Sequence, residues 1–414
     1  MLESPDRPLR VAVIGLGVAG GVIASGLAGR DDVELIAVEK VGQDDHSHAG
    51  NGLNIGPNAL VALRAALPSM ADALASVSLP WTRWQAALCD GRPLYEVPLD
   101  QVADAPGIRI RWSELYRAVR EPVRTVARFE TTIADVTIDP SADPAFGGPV
   151  GLTLVDIGDG RRERIDGIDL LIAVDGRYSA VREALCGTPS ARYLGVANFR
   201  TLLHDPDRRS GVDDMAQWFN GPNRLLAYRL RDDTVYLSGN FPTDENGDVP
   251  DDWKSRDWIR DACTPPGVVV EPPCAWLIDA VVSEDATLHW SRQQEIAMRL
   301  RDDSGHVLFL GDAGHAMAPT LGQGATTAIE DAAILLLALA RARRGDGLAP
   351  ARIPAFTADI EAERVPRLDF VREFSWQESD TLRMGADPEA WRQAKHSPEF
   401  RARLRRLYTE MPTA

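Results

Sequence analysis

The sequence predicts an α/β fold in which a parallel-sheet domain is pieced together from separated stretches of chain, then joined to a β-sheet domain and C-terminal helices. Three observations carry that expectation. Short apolar runs, Val11-Ala-Val-Ile14, Asp169-Leu-Leu-Ile-Ala-Val174 and Val307-Leu-Phe-Leu310, suit strands buried on both faces of a parallel sheet. Each run ends at a glycine turn: Gly15-Leu-Gly-Val-Ala-Gly20, Asp175-Gly176 and Gly311-Asp312. Between the second and third runs, residues 190–290 read as strand-rich, so a second sheet interrupts the first.

The first run and its turn can be read residue by residue. Gly15 permits a tight turn, Gly17 lets the backbone approach a pyrophosphate, and Gly20 allows helix and strand to pack closely. Ala19 lies within the same turn. Val22, Ile23 and Leu27 then recur at helical spacing, and the new helix offers free N–H groups and its positive dipole end to phosphates. The second strand, Val33-Glu-Leu-Ile-Ala-Val38, ends in Glu39. That is about 20 residues beyond the glycines, where an acid can accept hydrogen bonds from a ribose 2′-OH. Lys40 follows instead of arginine, which suits an unphosphorylated ribose. These features make the first domain Rossmann-like.

The later turns repeat the logic. Asp175-Gly176 sits at the carboxyl end of its strand, where open α/β sheets bind ligands, and Ser179 is placed to cap the next helix. Gly311-Asp312 holds the same position, and a short acid beside glycine can approach the hydroxyls of a ribityl chain. Pro319 stiffens the following loop. Gly322-Gln-Gly324-Ala325 opens a helix whose apolar face is Ile329, Ala332, Ala333, Leu336 and Leu337. The N-terminus of that helix would stabilise the N1 anion of a reduced isoalloxazine. His315, in a tight loop, is expected to be structural. No second Gly-x-Gly-x-x-Gly follows a later strand, so a nicotinamide nucleotide would have no domain of its own.

The expected Rossmann-like domain comprises residues 8–82, 106–190 and 290–345. A substrate-binding β-sheet domain is expected at 83–105 and 191–289, and a helical region at 346–414. Residues 8–80 read as β-α-β plus one helix opened by Pro57, and 107–125 as helix with Leu115, Val119 and Val123 on one face. Residues 129–172 read as a β meander. Trp376 and Trp391 are expected to anchor the last helices.

Composition narrows the function. At 44% hydrophobic and 26% charged, the 414 residues have an ordinary globular composition that indicates neither disorder nor a fibre. A formal net charge of -16 argues against nucleic acid and anionic membrane as partners. Cys89, Cys186, Cys263 and Cys274 are scattered without a C-x-x-C pair, which disfavours structural zinc and disulfide reductases; no metal is expected. The start lacks the basic and apolar regions of a signal peptide, and the most apolar helix is interrupted by Glu330 and Asp331. A cytoplasmic protein, monomeric or homodimeric, is expected.

In their order along the chain, the three segments resemble the signature of the single-component FAD-dependent aromatic hydroxylases, the p-hydroxybenzoate hydroxylase class. The resemblance covers residues 11–339. Gly50-Asn-Gly-Leu-Asn-Ile-Gly-Pro-Asn58 and the stretch from Gly311 to Ala325 are most similar to the branch that hydroxylates salicylate and hydroxypyridine acids such as 6-hydroxynicotinate. The resemblance implies non-covalent FAD, NADH or NADPH as a transient reductant, and a mobile flavin ring. It assigns the ADP half of FAD to Gly15, Gly17, Gly20 and Glu39, both nucleotides to Asp175 and Gly176, and the ribityl chain to Asp312. Pro319 would border the reacting carbon of the flavin. Ala19, Lys40, Gly311, Gly322, Gly324 and Ala325 count with them as cofactor-binding positions.

The chain also departs from this family. Relatives carry Arg-x-x-Leu at a helix contacting the FAD phosphates; here Arg111 is one place out of register and Trp112 takes its position, so either could be the contact. The loop Asp44-Asp-His-Ser-His48 replaces a common arginine, and its histidines are expected to be exposed. Asn54 stands where the hydroxynicotinate branch has histidine.

Family chemistry implies that reduced flavin adds dioxygen as a C4a-hydroperoxide, which passes an electrophilic oxygen to an electron-rich ring. The substrate would be a small aromatic or N-heteroaromatic acid of phenol, amino or hydroxypyridine type. The protein must exclude water and stabilise an ionised substrate. Asn54, Tyr228 and Tyr236 are the catalytic-pocket candidates beside Pro319. Two alternatives remain: an FAD-dependent epoxidase or tailoring oxygenase on another small molecule, and a non-catalytic nucleotide-binding redox sensor. The sensor would explain Gly15 to Gly20 but not Asp312 and the Gly322 loop.

Overall fold

A computed structural model describes residues 7–44, 51–244, 248–344, 348–383 and 387–410, apart from the side chains of 343 and 379–383. The expected exposure of His46 and His48 concerns residues outside that range.

Four short apolar strands form an all-parallel sheet in the spatial order Val307–Phe309, Leu170–Ala173, Leu9–Ile14, Val33–Val38. Their alternation explains why both faces are covered. Val11 and Val13 pack among the helices Val18–Leu27 and Gln323–Arg344. Ala12 and Ile14 face the antiparallel meander Thr131–Ile138, Val150–Asp156 and Arg162–Ile168. All three sequence-read strands therefore lie side by side, although more than a hundred residues separate each from the next.

The second sheet has seven strands, in the order His289–Ile296, Ala191–His204, Thr234–Pro242, Asn223–Arg229, Met215–Asn220, Arg83–Leu88, Pro93–Pro98. One face is closed by the helices Arg256–Cys263 and Pro272–Val281. On the other face, Trp84, Tyr95 and Phe219 join a cluster with the C-terminal helices. Trp391 is buried there against Tyr95 and Phe219, at centroid separations of 5.1 and 5.4 Å. Trp376 instead lies under the Arg192 guanidinium, 3.9 Å from its ring centroid. Cys89, Cys263 and Cys274, scattered in sequence, all lie buried in the core between this sheet and its two helices.

The structure departs from the sequence expectation in three places, the first being residues 290–296, expected in the Rossmann-like domain but part of the second-sheet strand His289–Ile296 because it pairs with Ala191–His204. Residues 107–111 are a strand, Gly107–Arg111, paired antiparallel with Gly52–Ile55 and Leu79–Trp81, and the helix is only Trp112–Arg120. The reason is a period of two: Ile108 and Ile110 enter the core, while Arg109 between them donates to Pro80 O at 2.8 Å. The helix opened by Pro57 stops at Ala66, and a second one, Pro68–Ser76, follows. Pro68 drives its predecessor Leu67 out of helical geometry, to φ -148° and ψ 75°.

The most apolar helix, Gln323–Arg344, carries Glu330 and Asp331 fully inside the protein. Two buried carboxylates need compensation. The long helix Ile353–Arg383 supplies it: Arg364 meets Asp331 at 2.7 Å and Glu330 at 3.0 Å, and Arg367 meets Glu330 at 2.8 Å. Asn58 adds a bond to Glu330 at 2.6 Å. No helix among the described residues is long and apolar enough to cross a membrane.

Replacing Arg364 by methionine leaves two buried charges short of a partner. The expected loss is about 3–5 kcal/mol of unfolding free energy, read from denaturant midpoints. Burial works against ionisation of these acids, but His315 and Arg364 outweigh it and hold Asp331 down at about 2, while Arg367 and Arg364 hold Glu330 low. Folded-state pKa values below the unfolded ones mean stability that is full above about pH 5 and is lost as pH falls toward 2. The Arg364→Met variant should show a flatter stability curve across that acid range.

Candidate active site

The carboxyl ends of the parallel strands bring the three glycine turns together. Gly15 has φ +92°, and a Cβ there would lie 2.7 Å from Val174 O and 2.8 Å from Asp175 Cα. A Cβ on Gly20 would lie 1.9 Å from Gly15 O. Neither position admits a side chain, so the first turn is pressed against the second. A Cβ on Gly311 would come 3.8 Å from Ala19 Cβ, which sets the third turn against the helix that the first glycines begin.

Over these turns runs a cleft with two parts. The first, about 540 Å³, is bordered by Gly15, Gly17, Glu39, Lys40, Tyr116 and Arg120. The second, about 570 Å³, is bordered by Asn54, Tyr228, Tyr236, Asp312, Pro319 and Gly322. Lys40, Trp112, Asp175, Gly176, Tyr178 and Arg200 line both parts, so the two are continuous along that wall. Each is within the size range of a small-molecule site.

In the first part, Glu39 is buried and its carboxylate accepts from Leu16 N at 2.7 Å and Val41 N at 3.1 Å. Arg120 holds the same corner, donating to Leu16 O at 2.8 Å and to Glu39 at 3.3 Å. Its Nη1 is buried without a partner. At the junction, Asp175 Oδ2 accepts from Ala180 N at 2.8 Å, while Oδ1 is buried and unpaired. Burial raises the Asp175 pKa against the pull of Ser179 and nearby backbone N–H groups. Ser179 caps the helix Ala180–Cys186 by accepting from Arg182 N, as its sequence suggests.

In the second part, Asp312 is exposed to the cleft between buried neighbours; desolvation raises its pKa, and His315 and Arg177 oppose the rise. Its turn is fixed from behind. Asp331 Oδ2 accepts from Gly311 N at 2.8 Å and pairs with His315 Nε2 at 2.6 Å, so His315 is buried and structural. A Cβ on Gly322 would meet the Asn54 amide at 2.8 Å, which brings the strand Gly52–Ile55 against the start of the long helix. Tyr228 and Tyr236 stack at 4.7 Å with 21° between their planes. Desolvation raises both phenol pKa values, so they remain hydroxyl donors at neutral pH.

Thus Gly15, Gly17, Glu39, Lys40, Asp175 and Gly176 border the first part, and Asn54, Tyr228, Tyr236, Asp312 and Pro319 border the second, with Gly322, Gly324 and Ala325. Ala19, Gly20 and Gly311 sit behind the cleft wall and shape the turns. Arg111 is the exception. Alternation along Gly107–Arg111 points it, like Arg109, toward the second sheet, where it donates to the Thr234 hydroxyl. Trp112 begins the helix and turns into the cleft. Sequence reasoning missed Arg120, Arg200 and Arg224. The period-two spacing of Asn198 and Arg200, and of Arg224, Leu226 and Tyr228, would have placed those on one sheet face.

FAD fits this cleft on three observations. The space beside Gly17 is open to at least 4 Å, and the buried polar atoms Asp175 Oδ1 and Arg120 Nη1 lack partners. The cleft also extends from a backbone turn suited to pyrophosphate to an acid at the second strand end.

Comparison with known proteins agrees. Residues 277–359 match the family model of an FAD binding domain. The chain is 27% identical over 404 residues to 6-hydroxynicotinate 3-monooxygenase of Pseudomonas fluorescens, covering 94% of each chain. It is 27% identical over 406 residues to 3-amino-4-hydroxybenzoate 2-monooxygenase of Streptomyces platensis, covering 93% of this chain and 91% of the other. The crystal structure of Klebsiella pneumoniae HpxO complexed with FAD and uric acid has the same fold, with a TM-score of 0.77 at 23% identity over 98% of this chain and 97% of that one. With three converging turns, a cleft long enough for a dinucleotide and relatives matched along nearly their whole length, this chain is similar to the single-component FAD-dependent aromatic hydroxylases, which are flavoprotein monooxygenases.

Proposed function

We propose that this enzyme uses NADH or NADPH and dioxygen to hydroxylate a small aromatic or N-heteroaromatic acid. The observation that carries the reading is the continuity of the two-part cleft through Asp175 and Arg200, which sets two spaces of similar size end to end, long enough together for a dinucleotide with room for a ring beside it. In this reading, Gly15, Gly17 and Glu39 hold the ADP portion of FAD, Asp312 the ribityl chain, and Pro319, Gly322 and Gly324 the ring. Asp175, with one free carboxylate oxygen, orients the flavin and the visiting nicotinamide. Bound FAD supplies activated oxygen once reduced.

The remaining work falls to the chain's own residues. The start of the helix Gln323–Arg344 offers N–H groups to charge that develops on the ring beside it. Tyr228 and Tyr236 form an apolar wall with hydroxyl donors, which excludes water from the reacting edge. Arg200 and Arg224 bring positive charge to the second part of the cleft, favouring an anionic ring compound. Asn54 can hold a substrate oxygen but cannot take its proton. No histidine lines this part among the described residues, so the substrate's ring should be activated by its own amino group or by a hydroxyl whose ionised form the arginines favour.

The test is oxygen uptake by purified protein with NADH or NADPH, with and without a panel of hydroxybenzoates, aminobenzoates and hydroxypyridine carboxylates. Uptake should rise at least tenfold with one ring class and yield its hydroxylated product. Uptake independent of every ring compound would count against hydroxylation, and colourless protein that binds only NAD would favour the redox sensor. Within the same reading, Asp312→Asn should weaken FAD binding by roughly tenfold, the equivalent of about 1.4 kcal/mol, measured by flavin fluorescence titration.

A further inference from the structure

A smaller chamber of about 70 Å³ opens off the second part of the cleft, between the seven-stranded sheet and the C-terminal helices. Arg224, Asn240 and Gln293 line both spaces, so they form the doorway. Thr320, next to Pro319, lies at the same junction. The far wall comes from the C-terminal region: Glu378, Trp391 and Lys395.

Three of the polar groups lining this chamber, Trp84, Arg224 and Lys395, can only donate. Trp84 and Tyr95 are 6% and 3% exposed, and their Nε1 and Oη atoms are buried without a hydrogen-bond partner. An indole N–H can only donate. Arg224 has no ion pair among the described residues. Lys395 is 4% exposed, lies 5.1 Å from the Trp391 ring centroid and 4.3 Å from that of Phe400, and contacts Glu378. That contact occupies the chamber's one carboxylate, while Asn240 and Gln293 bond to each other at 3.0 Å. A buried donor left unpaired is costly, so an acceptor-rich guest is favoured.

Size fixes what that guest can be. The chamber is a small fraction of the volume of either part of the cleft, so it suits a small substituent better than a whole ring system. A carboxylate has that size, carries only acceptors and matches a guanidinium fork.

Building on the hydroxylase reading, we propose that the side chamber receives the carboxylate of the aromatic substrate, bound by Arg224, Tyr95 and Trp84, with the Lys395–Glu378 pair closing the C-terminal wall. The ring then remains between the Tyr228–Tyr236 wall and the Pro319 loop. The C-terminal helices thereby become part of substrate selection.

The experiment is calorimetric titration of the FAD-loaded enzyme with benzoate and phenylacetate against benzamide and phenylacetamide. At least one acid should bind tenfold or more tighter than its amide. That preference should fall at least fivefold in both Tyr95→Phe and Arg224→Gln, with the FAD content of each variant unchanged. Equal affinity for acid and amide, no binding of either acid, or a preference that survives both substitutions would overturn the proposal. These outcomes leave the hydroxylase reading intact if ring-stimulated oxygen uptake persists, whereas protein that neither loads FAD nor responds to ring compounds would defeat that reading first.

Discussion

One carboxylate, Asp331, ties together the parts on which the site depends. It accepts from the backbone of Gly311 and pairs with His315, so it fixes the turn that presents Asp312 to the cleft. It also pairs with Arg364, so it fastens the long C-terminal helix to the same point. An isolated buried acid would be costly. Here the charge is shared among an imidazole, a guanidinium and a backbone N–H, with Glu330 and Arg367 extending the network. The result is a fixed back wall: the turn that presents Asp312 to the cleft cannot reorganise without breaking buried pairs.

That wall completes a geometry imposed by the parallel sheet. Parallel strands place all their carboxyl ends on one edge, so turns from residues 15–20, 175–176 and 311–312 meet although the chain between them is long. The seven-stranded sheet then lies across this edge, contributing Arg200, Arg224, Tyr228 and Tyr236 to a cleft whose floor is the glycine turns. One ligand can therefore touch three remote segments while a second, smaller one lies against the other sheet.

Much of this was legible in the sequence, for a physical reason. Buried parallel strands need continuous apolar runs, and turns that approach a ligand need glycine, so the three segments stand out at Val11, Leu170 and Val307. What stayed hidden depends on tertiary pairing. Ile108-Arg-Ile110 forms a strand because Gly52–Ile55 and Leu79–Trp81 are there to pair with it. Arg111 is carried toward Thr234 by that strand's alternation, and Arg120, nine residues on, reaches Glu39 instead. Glu330 and Asp331 read as an interruption of an apolar helix because their partners lie more than thirty residues away, on another helix. Three cysteines without motif spacing meet in one core for the same reason.

The central claim is that both halves of the cleft hold one extended dinucleotide. Equilibrium titration of the flavin-free protein with FAD and with FMN, read by flavin fluorescence, tests it directly. The cleft requires FAD to bind one per chain and FMN, which lacks the adenosine half that would lie beside Gly17 and Glu39, to bind at least a hundredfold more weakly. Equal affinity for the two flavins, or binding of neither, would contradict it.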